Sequence, residues 1–449
     1  MKTSLDAARM APSLARLHDA HSAFARLHPG DRVGRHPVHV VYGGAHLFAH
    51  DTARKLGAVA LRALNDHAPD ADSLALAVGL VGGDSDARER HRAVFDRVRE
   101  KLAREPVEDL RADFEDGYGQ RSSQDEDAHA VAVGRALARG MRENTLPPFV
   151  GVRIKALTVE TAWRALRTLD LALTAMAEDA RGAAPDGFVV TLPKVTLAEE
   201  VATLCDALDS LERSLSMRSN SVGVELMVEA PRAIVSAHGE AALPSLVRAA
   251  RGRCVAAHFG AYDYTAALGV AASDQSLGHP WCDHARHAML TSLWGTGVRL
   301  SDGATTQLPI APHKNPSNDA ERAANRAAVH SAWRLAHADI SRALSQGFFQ
   351  GWDLHPAQLV SRYASVYDYF LREVEASGAR LRRFVSQAAR ATQSGGAFDD
   401  AATGQALVSF FLRAVDVGAL SEADAATHAG VSVELLRTRS FSRIVGAAP

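Results

Sequence analysis

The chain has 449 residues, of which 47% are hydrophobic and 23% charged, and its formal net charge is −2. That is enough apolar material for a large core, and the near-neutral balance excludes the basic face of a dedicated nucleic-acid binder. Three cysteines without CxxC spacing (Cys205, Cys254 and Cys282) exclude a disulfide framework and a cysteine-rich zinc site.

The first residues, MKTSLDAARMAPSLARLHDAHSAF, are broken by charges and lack the apolar core of a secretory signal. They predict a helical extension over residues 1–36. No run approaches the ~18 apolar residues of a membrane span, so a cytoplasmic protein without a membrane partner is expected. HPVHVVYGGAHLF predicts a strand ending in a Gly-Gly turn, and DTARKLGAVALRALNDHA repeats apolar residues at helical spacing. SLALAVGLVGG adds an apolar run before the charged RERHRAVFDRVREKLARE. Next come strand-like runs in DLRADFEDGYG, PPFVGVRIKAL, GFVVTLPKV, SVGVELMVEA, CVAAHFGAYD, GTGVRLSDGAT and GFFQGWDLHP, with amphipathic stretches between most of them. Pro231 stands where a first helical turn accepts it.

This alternation predicts parallel strands joined by helical crossovers. The expected fold is an α/β (β/α)8 TIM-like barrel over residues 37–370, followed by a helical appendage over 371–449. A doubly wound sheet is the rival, weakened by the absence of G-x-G-x-x-G opening a helix after the first strand.

In a parallel barrel the C-terminal strand ends converge on one mouth. Read so, the chain brings to that mouth Asp113, Glu115 and Asp116 of DFED, Arg153 of GVRIK, Lys194 of LPK, Glu229 of MVEAP and Asp263 of FGAYD, with His355 of DLHP as a further candidate. Glu229 and Asp263 fall on consecutive strands. Two carboxylates that close repel unless a cation lies between them or one is protonated, and two oxygen ligands with open positions suit Mg2+ or Mn2+. The bland alternative is that Glu229 charges a helix N-terminus and Asp263 caps a helix beginning at Tyr264. Arg153 offers a planar guanidinium to a carboxylate, or else an internal ion pair to the DFED acids. Lys194 suits an ion pair with a neighbouring acid better than a desolvated Schiff base. The paired histidines of HDAH and HARH lack a nearby third ligand and read as surface features. No G-x-S-x-G elbow or P-loop occurs.

DFEDGYG, GVRIKAL, LPKV, VELMVEAPRAI, HFGAYDYTAALG and GWDLHPAQL occur in that order. Together they resemble the superfamily of citrate lyase β-subunits, malyl-CoA lyases and 2-oxo-acid aldolases, the phosphoenolpyruvate/pyruvate-binding TIM barrels. The likeness to its D-x-E-D, V-R, L-P-K, I-E-T, F-G-x-x-D and I-H-P-x-Q elements covers roughly Val38 to Phe370. The resemblance implies Mg2+ held by Glu229 and Asp263, with Arg153 on the carboxylate of a 2-oxo acid and the backbone at Gly260 and Ala261 against that ligand. The implied chemistry is a metal-stabilised enolate.

Asp116 stands where the aromatic-degradation aldolases carry a histidine base; it is the candidate base here, with an acid from a neighbouring subunit as the equal alternative. VEAP replaces I-E-T and keeps the ligand. A long extra segment, about Ser73 to Glu108, separates the first strand from DFED, and the chain is closest to a long bacterial subgroup. The expected activity is a Mg2+-dependent carbon–carbon lyase acting at pyruvate, oxaloacetate, glyoxylate or an acyl-CoA, although no residue marks a CoA site. The alternatives are phosphoryl transfer with a phosphoenolpyruvate-like ligand and a non-catalytic oxo-acid-binding subunit. A homo-oligomer, trimer or hexamer, is expected from the helical C-terminus packing across a neighbour's barrel mouth, as in relatives.

Overall fold

The structure is a computed structural model that describes residues 4–30, 32, 34–393 and 401–446. Eight strands close into one barrel: β1 (His39–Gly44), β2 (Asp109–Asp113), β3 (Phe149–Arg153), β4 (Val189–Leu192), β5 (Gly223–Val228), β6 (Cys254–Phe259), β7 (Arg299–Ala304) and β8 (Gln350–Asp353). Every neighbouring pair is parallel, and β8 closes on β1 through His39–Gly351 to Val41–Asp353. The (β/α)8 architecture expected from the alternation is therefore the one observed.

The crossover helices are fixed by local chemistry as well as by packing. Asp84 caps the Ser85–Arg104 helix by accepting from Ala87 N–H, and Ser122 caps Ser123–Glu143 through Asp125 N–H. The apolar faces of Ser123–Glu143 and of the helices Ala162–Ala180 and Ala198–Ser214 cover the outside of the barrel in a core that includes Val133, Leu137, Leu169, Leu204 and Leu208. SLALAVGLVGG is not a strand. Its Ala71–Val78 stretch is a helix with a reciprocal Asp70–Ser73 capping box and a left-handed Gly79 at its C-cap. The extra segment between β1 and β2 thus holds this helix and the Ser85–Arg104 helix.

A second core lies outside β1 and β2, with Val41 and Leu110 on its barrel side. There the helix Gln358–Gln393 meets Ala401–Asp416, Glu422–Ala429 and Val433–Arg437 around Phe370, Phe411, Ala425 and Leu436. The boundary expected at residue 370 falls inside that long helix, which is continuous from the last barrel crossover into the appendage. At the other end the Ala7–Leu27 helix has no buried residue. Among the described residues no helix is long and apolar enough to cross a membrane.

Candidate functional site at the barrel mouth

Side chains alternate along a strand, so residues two apart share a face. On β2 this sends Asp109, Arg111 and Asp113 inward, and along β5 it does the same for Glu225, Met227 and, just past the strand end, Glu229. The barrel interior is consequently charged. Arg111 is bidentate to Asp109 and donates to Glu225 Oε2 at 2.6 Å, while Thr191 donates to Glu225 Oε1 at 2.6 Å. Tyr42 hydroxyl donates to the same Oε1 at 2.9 Å and lies 2.9 Å from His258 Nδ1. His258 Nε2 is 3.0 Å from Glu225 Oε2. Arg111 holds the Glu225 carboxyl well below the usual carboxylate range, against the desolvation that would raise it. This network stiffens the floor beneath the mouth.

Above it sits Arg153, at the end of β3 and 1% exposed. Its Nε and Nη2 each donate at 2.6 Å to the two oxygens of Asp113, a fork-to-fork pair. Its guanidinium carbon lies 4.7 Å from the Tyr42 ring centroid and 5.5 Å from that of Trp352. Nη1 makes no hydrogen bond, although Glu115 Oε2 stands 3.3 Å away. Asp113 is held in turn by the backbone N–H groups of Glu115 and Gly117, at 3.0 and 2.8 Å. The internal ion pair expected as an alternative for Arg153 is present, and it leaves one edge of the guanidinium uncommitted.

Lys194 pairs through Nζ with Glu115 and, at 3.2 Å, with Asp116. Its backbone is left-handed at φ 53°, a conformation that costs a non-glycine residue energy and here turns its N–H onto Glu229 Oε1 at 2.6 Å. Glu115 and Asp116 titrate as a pair. Burial raises the Glu115 carboxyl, assisted by its hydrogen bond to Asp116. Asp116 is lowered despite burial, by that same bond and by Arg153 and Lys194.

Glu229 is 3% exposed, and its carboxyl is pushed up to about 8, first by burial and then by the charge of Asp263. The close approach of β6 sets this position. Gly260 N–H donates to Val228 carbonyl at 3.0 Å, and a Cβ on Gly260 would lie 2.5 Å from Glu229 Cβ and 2.6 Å from Oε2. Asp263 is exposed in the first turn of the helix Ala261–Ala267. That helix begins at Ala261 with Gly260 as its N-cap and no side-chain cap bond, so Asp263 does not cap a helix beginning at Tyr264. Among the described residues neither Asp263 oxygen nor Glu229 Oε2 accepts a hydrogen bond. The donor set therefore fits a hard divalent cation: two carboxylates, electrostatically short of positive charge, with oxygens free. Among the described residues no group of three or more His, Cys, Asp and Glu side chains is arranged around a metal position, so the remaining positions would fall to water and ligand oxygens.

The two candidates beside this group differ. Ala261 is buried, and its carbonyl accepts from Thr265 Oγ1 at 2.7 Å. His355 follows β8 at the same end of the barrel, where its Nδ1 accepts from Ala357 N–H at 3.2 Å. No contact among the described residues joins it to Arg153, Glu229 or Asp263. A cavity of about 1030 Å³ is lined by Pro106, Pro147 and Pro185, which precede β2, β3 and β4. It therefore opens at the opposite end of the barrel and is separate from this site. Tyr42, Trp352 and the Asp109–Arg111–Glu225–His258 network escaped the sequence reading. The signal was available in the polar alternation of DLRAD and ELMVE, hidden among apolar neighbours.

The fold and this mouth define a (β/α)8 barrel carrying a carboxylate pair and a clamped arginine at the C-terminal strand ends. Within that class the chain belongs to the family described as a domain of unknown function, DUF6986, which matches residues 17–444. No curated protein sequence matches it. Among solved structures it is similar to Haloferax volcanii malate synthase, native at 3 mM glyoxylate, with 14% identity, 93% of this chain and 100% of that chain covered, and a TM-score of 0.44. It is also similar to the citrate lyase beta subunit complexed with oxaloacetate and magnesium from M. tuberculosis, with 21% identity, 61% and 93% covered, and a TM-score of 0.35.

Proposed function

We propose that this chain is a Mg2+-dependent carbon–carbon lyase that cleaves or condenses at a 2-oxo acid of the pyruvate, oxaloacetate or glyoxylate type. The observation that carries the reading is the pairing of buried Glu229 with Asp263, three of whose four oxygens accept no hydrogen bond, beside an arginine with an uncommitted edge. The ordered motifs resembling the citrate lyase and aldolase superfamily support the same reading.

Glu229 and Asp263 would hold the ion, which would supply Lewis-acid stabilisation to a developing enolate oxygen. Arg153, locked by Asp113 and backed by Tyr42, receives the ligand carboxylate on its Nη1 edge, in the place Glu115 Oε2 now approaches. Glu115 and Asp116 form the acid–base pair. Asp116, held low by its bond to Glu115 and by Arg153 and Lys194, is the weaker base of the two; Glu115, raised by burial, is the stronger. Lys194 keeps that pair charged-balanced and fixes Glu229 through its backbone N–H.

The test is solvent deuterium exchange into the methyl group of pyruvate, followed by NMR with and without Mg2+. Mg2+-dependent exchange that disappears in Asp263→Asn is expected. Pyruvate binding without any exchange would refute proton abstraction from pyruvate. Phosphate release or transfer from phosphoenolpyruvate would replace the lyase reading with phosphoryl transfer.

A further inference from the structure

A second cluster of cations stands apart from the carboxylate pair. The connection leaving β7 begins at the mouth, where Tyr262 hydroxyl donates to Thr306 Oγ1 at 3.3 Å. It then runs outward to the start of the helix Asp319–Ser345. At its outer end a cavity of about 610 Å³ is lined by Lys314, Arg322, Arg326, His67 and His313, and Asp66 is its one acid among the described lining residues.

This arrangement is built. Asn325, 6% exposed, accepts from His313 N–H and donates to His313 carbonyl, both at 2.8 Å, so the loop carrying Lys314 is pinned to the helix carrying the two arginines. Arg322 and Arg326 are i, i+4 on that helix, a spacing at which like charges repel. Arg322 is paired with Asp319, which is almost fully exposed. Among the described residues neither Lys314 nor Arg326 has an ion pair or hydrogen bond. Three solvent-facing cations around one hollow, two of them without a protein partner among the described residues, suit an anion with several oxygens, and guanidinium forks match phosphate in geometry and charge.

We infer that this cavity is a binding site for a phosphate-bearing anion at the rim of the barrel. Its size admits either a free polyphosphate or a phosphate ester with an organic body. The site does not depend on the metal chemistry proposed for the mouth.

The test is calorimetric titration of the full chain with pyrophosphate and, separately, with ADP, in metal-free buffer containing EDTA at fixed ionic strength. One saturable site is expected for at least one of the two probes, with affinity falling about tenfold in Lys314→Ala and in Arg326→Ala. Both side chains are exposed, so folding is retained. Arg9→Ala, on the N-terminal helix, should bind like the wild type. Tighter binding of ADP would support a site for an organic ester, and tighter binding of pyrophosphate a site for a free polyphosphate. The inference is overturned if neither probe binds saturably, if both cavity variants bind like the wild type, or if Arg9→Ala weakens binding equally.

Discussion

Gly260→Ala tests whether the approach of β6 to Glu229 builds the cation site. Gly260 has φ −99° and ψ 83°, outside the left-handed region, so alanine meets no strain from its own φ there. Space is the constraint. The new Cβ would stand 2.5 Å from Glu229 Cβ and 2.6 Å from Oε2, about 1 Å inside ordinary contact. Glu229 Cβ is fixed to its backbone and cannot swing aside, so the strand end or the carboxylate must shift. Overpacking of this kind costs roughly 1–3 kcal/mol. Displacing one of the two proposed protein ligands is expected to weaken Mn2+ binding about 10–100-fold, the range seen when support of a metal ligand is lost. Free Mn2+ measured by electron paramagnetic resonance, beside urea unfolding, reads both quantities. Gly134→Ala is the control: its Cβ would lie 2.2 Å from Ala172 carbonyl, between two outer helices. It should lose stability and keep metal affinity. A folded Gly260→Ala protein binding Mn2+ like the wild type, or a Gly134→Ala protein losing metal equally, would refute the reasoning.

The Glu229 carboxyl is raised from 4.5 to about 8 in the folded chain, so the metal-free native state holds a proton that the unfolded chain has released. Stability should therefore fall as pH rises from about 4.5 to about 8, by ~1.4 kcal/mol per pH unit from this group. Urea midpoints of wild type minus Glu229→Gln across that window read the slope, and parallel curves would contradict it. Lys194→Gly accepts the left-handed backbone without steric strain and should retain Mn2+ affinity while losing pyruvate exchange; Lys194→Val should lose both, since β-branched residues resist positive φ. Equal metal affinity in the two variants would argue against the backbone N–H holding Glu229. Arg111→Leu leaves Asp109 and Glu225 buried without their cation and should destabilise the barrel by about 3–5 kcal/mol, seen as a lowered urea midpoint; an unchanged midpoint would show that the buried charge network contributes nothing to stability.

The sequence by itself determined the class of fold. Parallel strands between amphipathic helices have one common closed solution, and the polar residues closing DLRAD, FVGVR, VVTLPK, ELMVE and HFGAYD could be assigned to one mouth because parallel strands end on the same side. SLALAVGLVGG could be read only as an apolar run, because a short run of that kind fits a strand or a buried helix equally until its cap is seen. Only tertiary structure decided the rest. Gly260 had to come within van der Waals reach of Glu229 before its lack of a side chain had meaning, and Lys194 had to turn left-handed before its backbone reached the same carboxylate. Arg111, Glu225 and His258 lie far apart in the chain, so their mutual neutralisation inside the barrel is a consequence of register and closure. A local pattern can set which way a side chain faces; which charges then meet is set by the strands placed beside it.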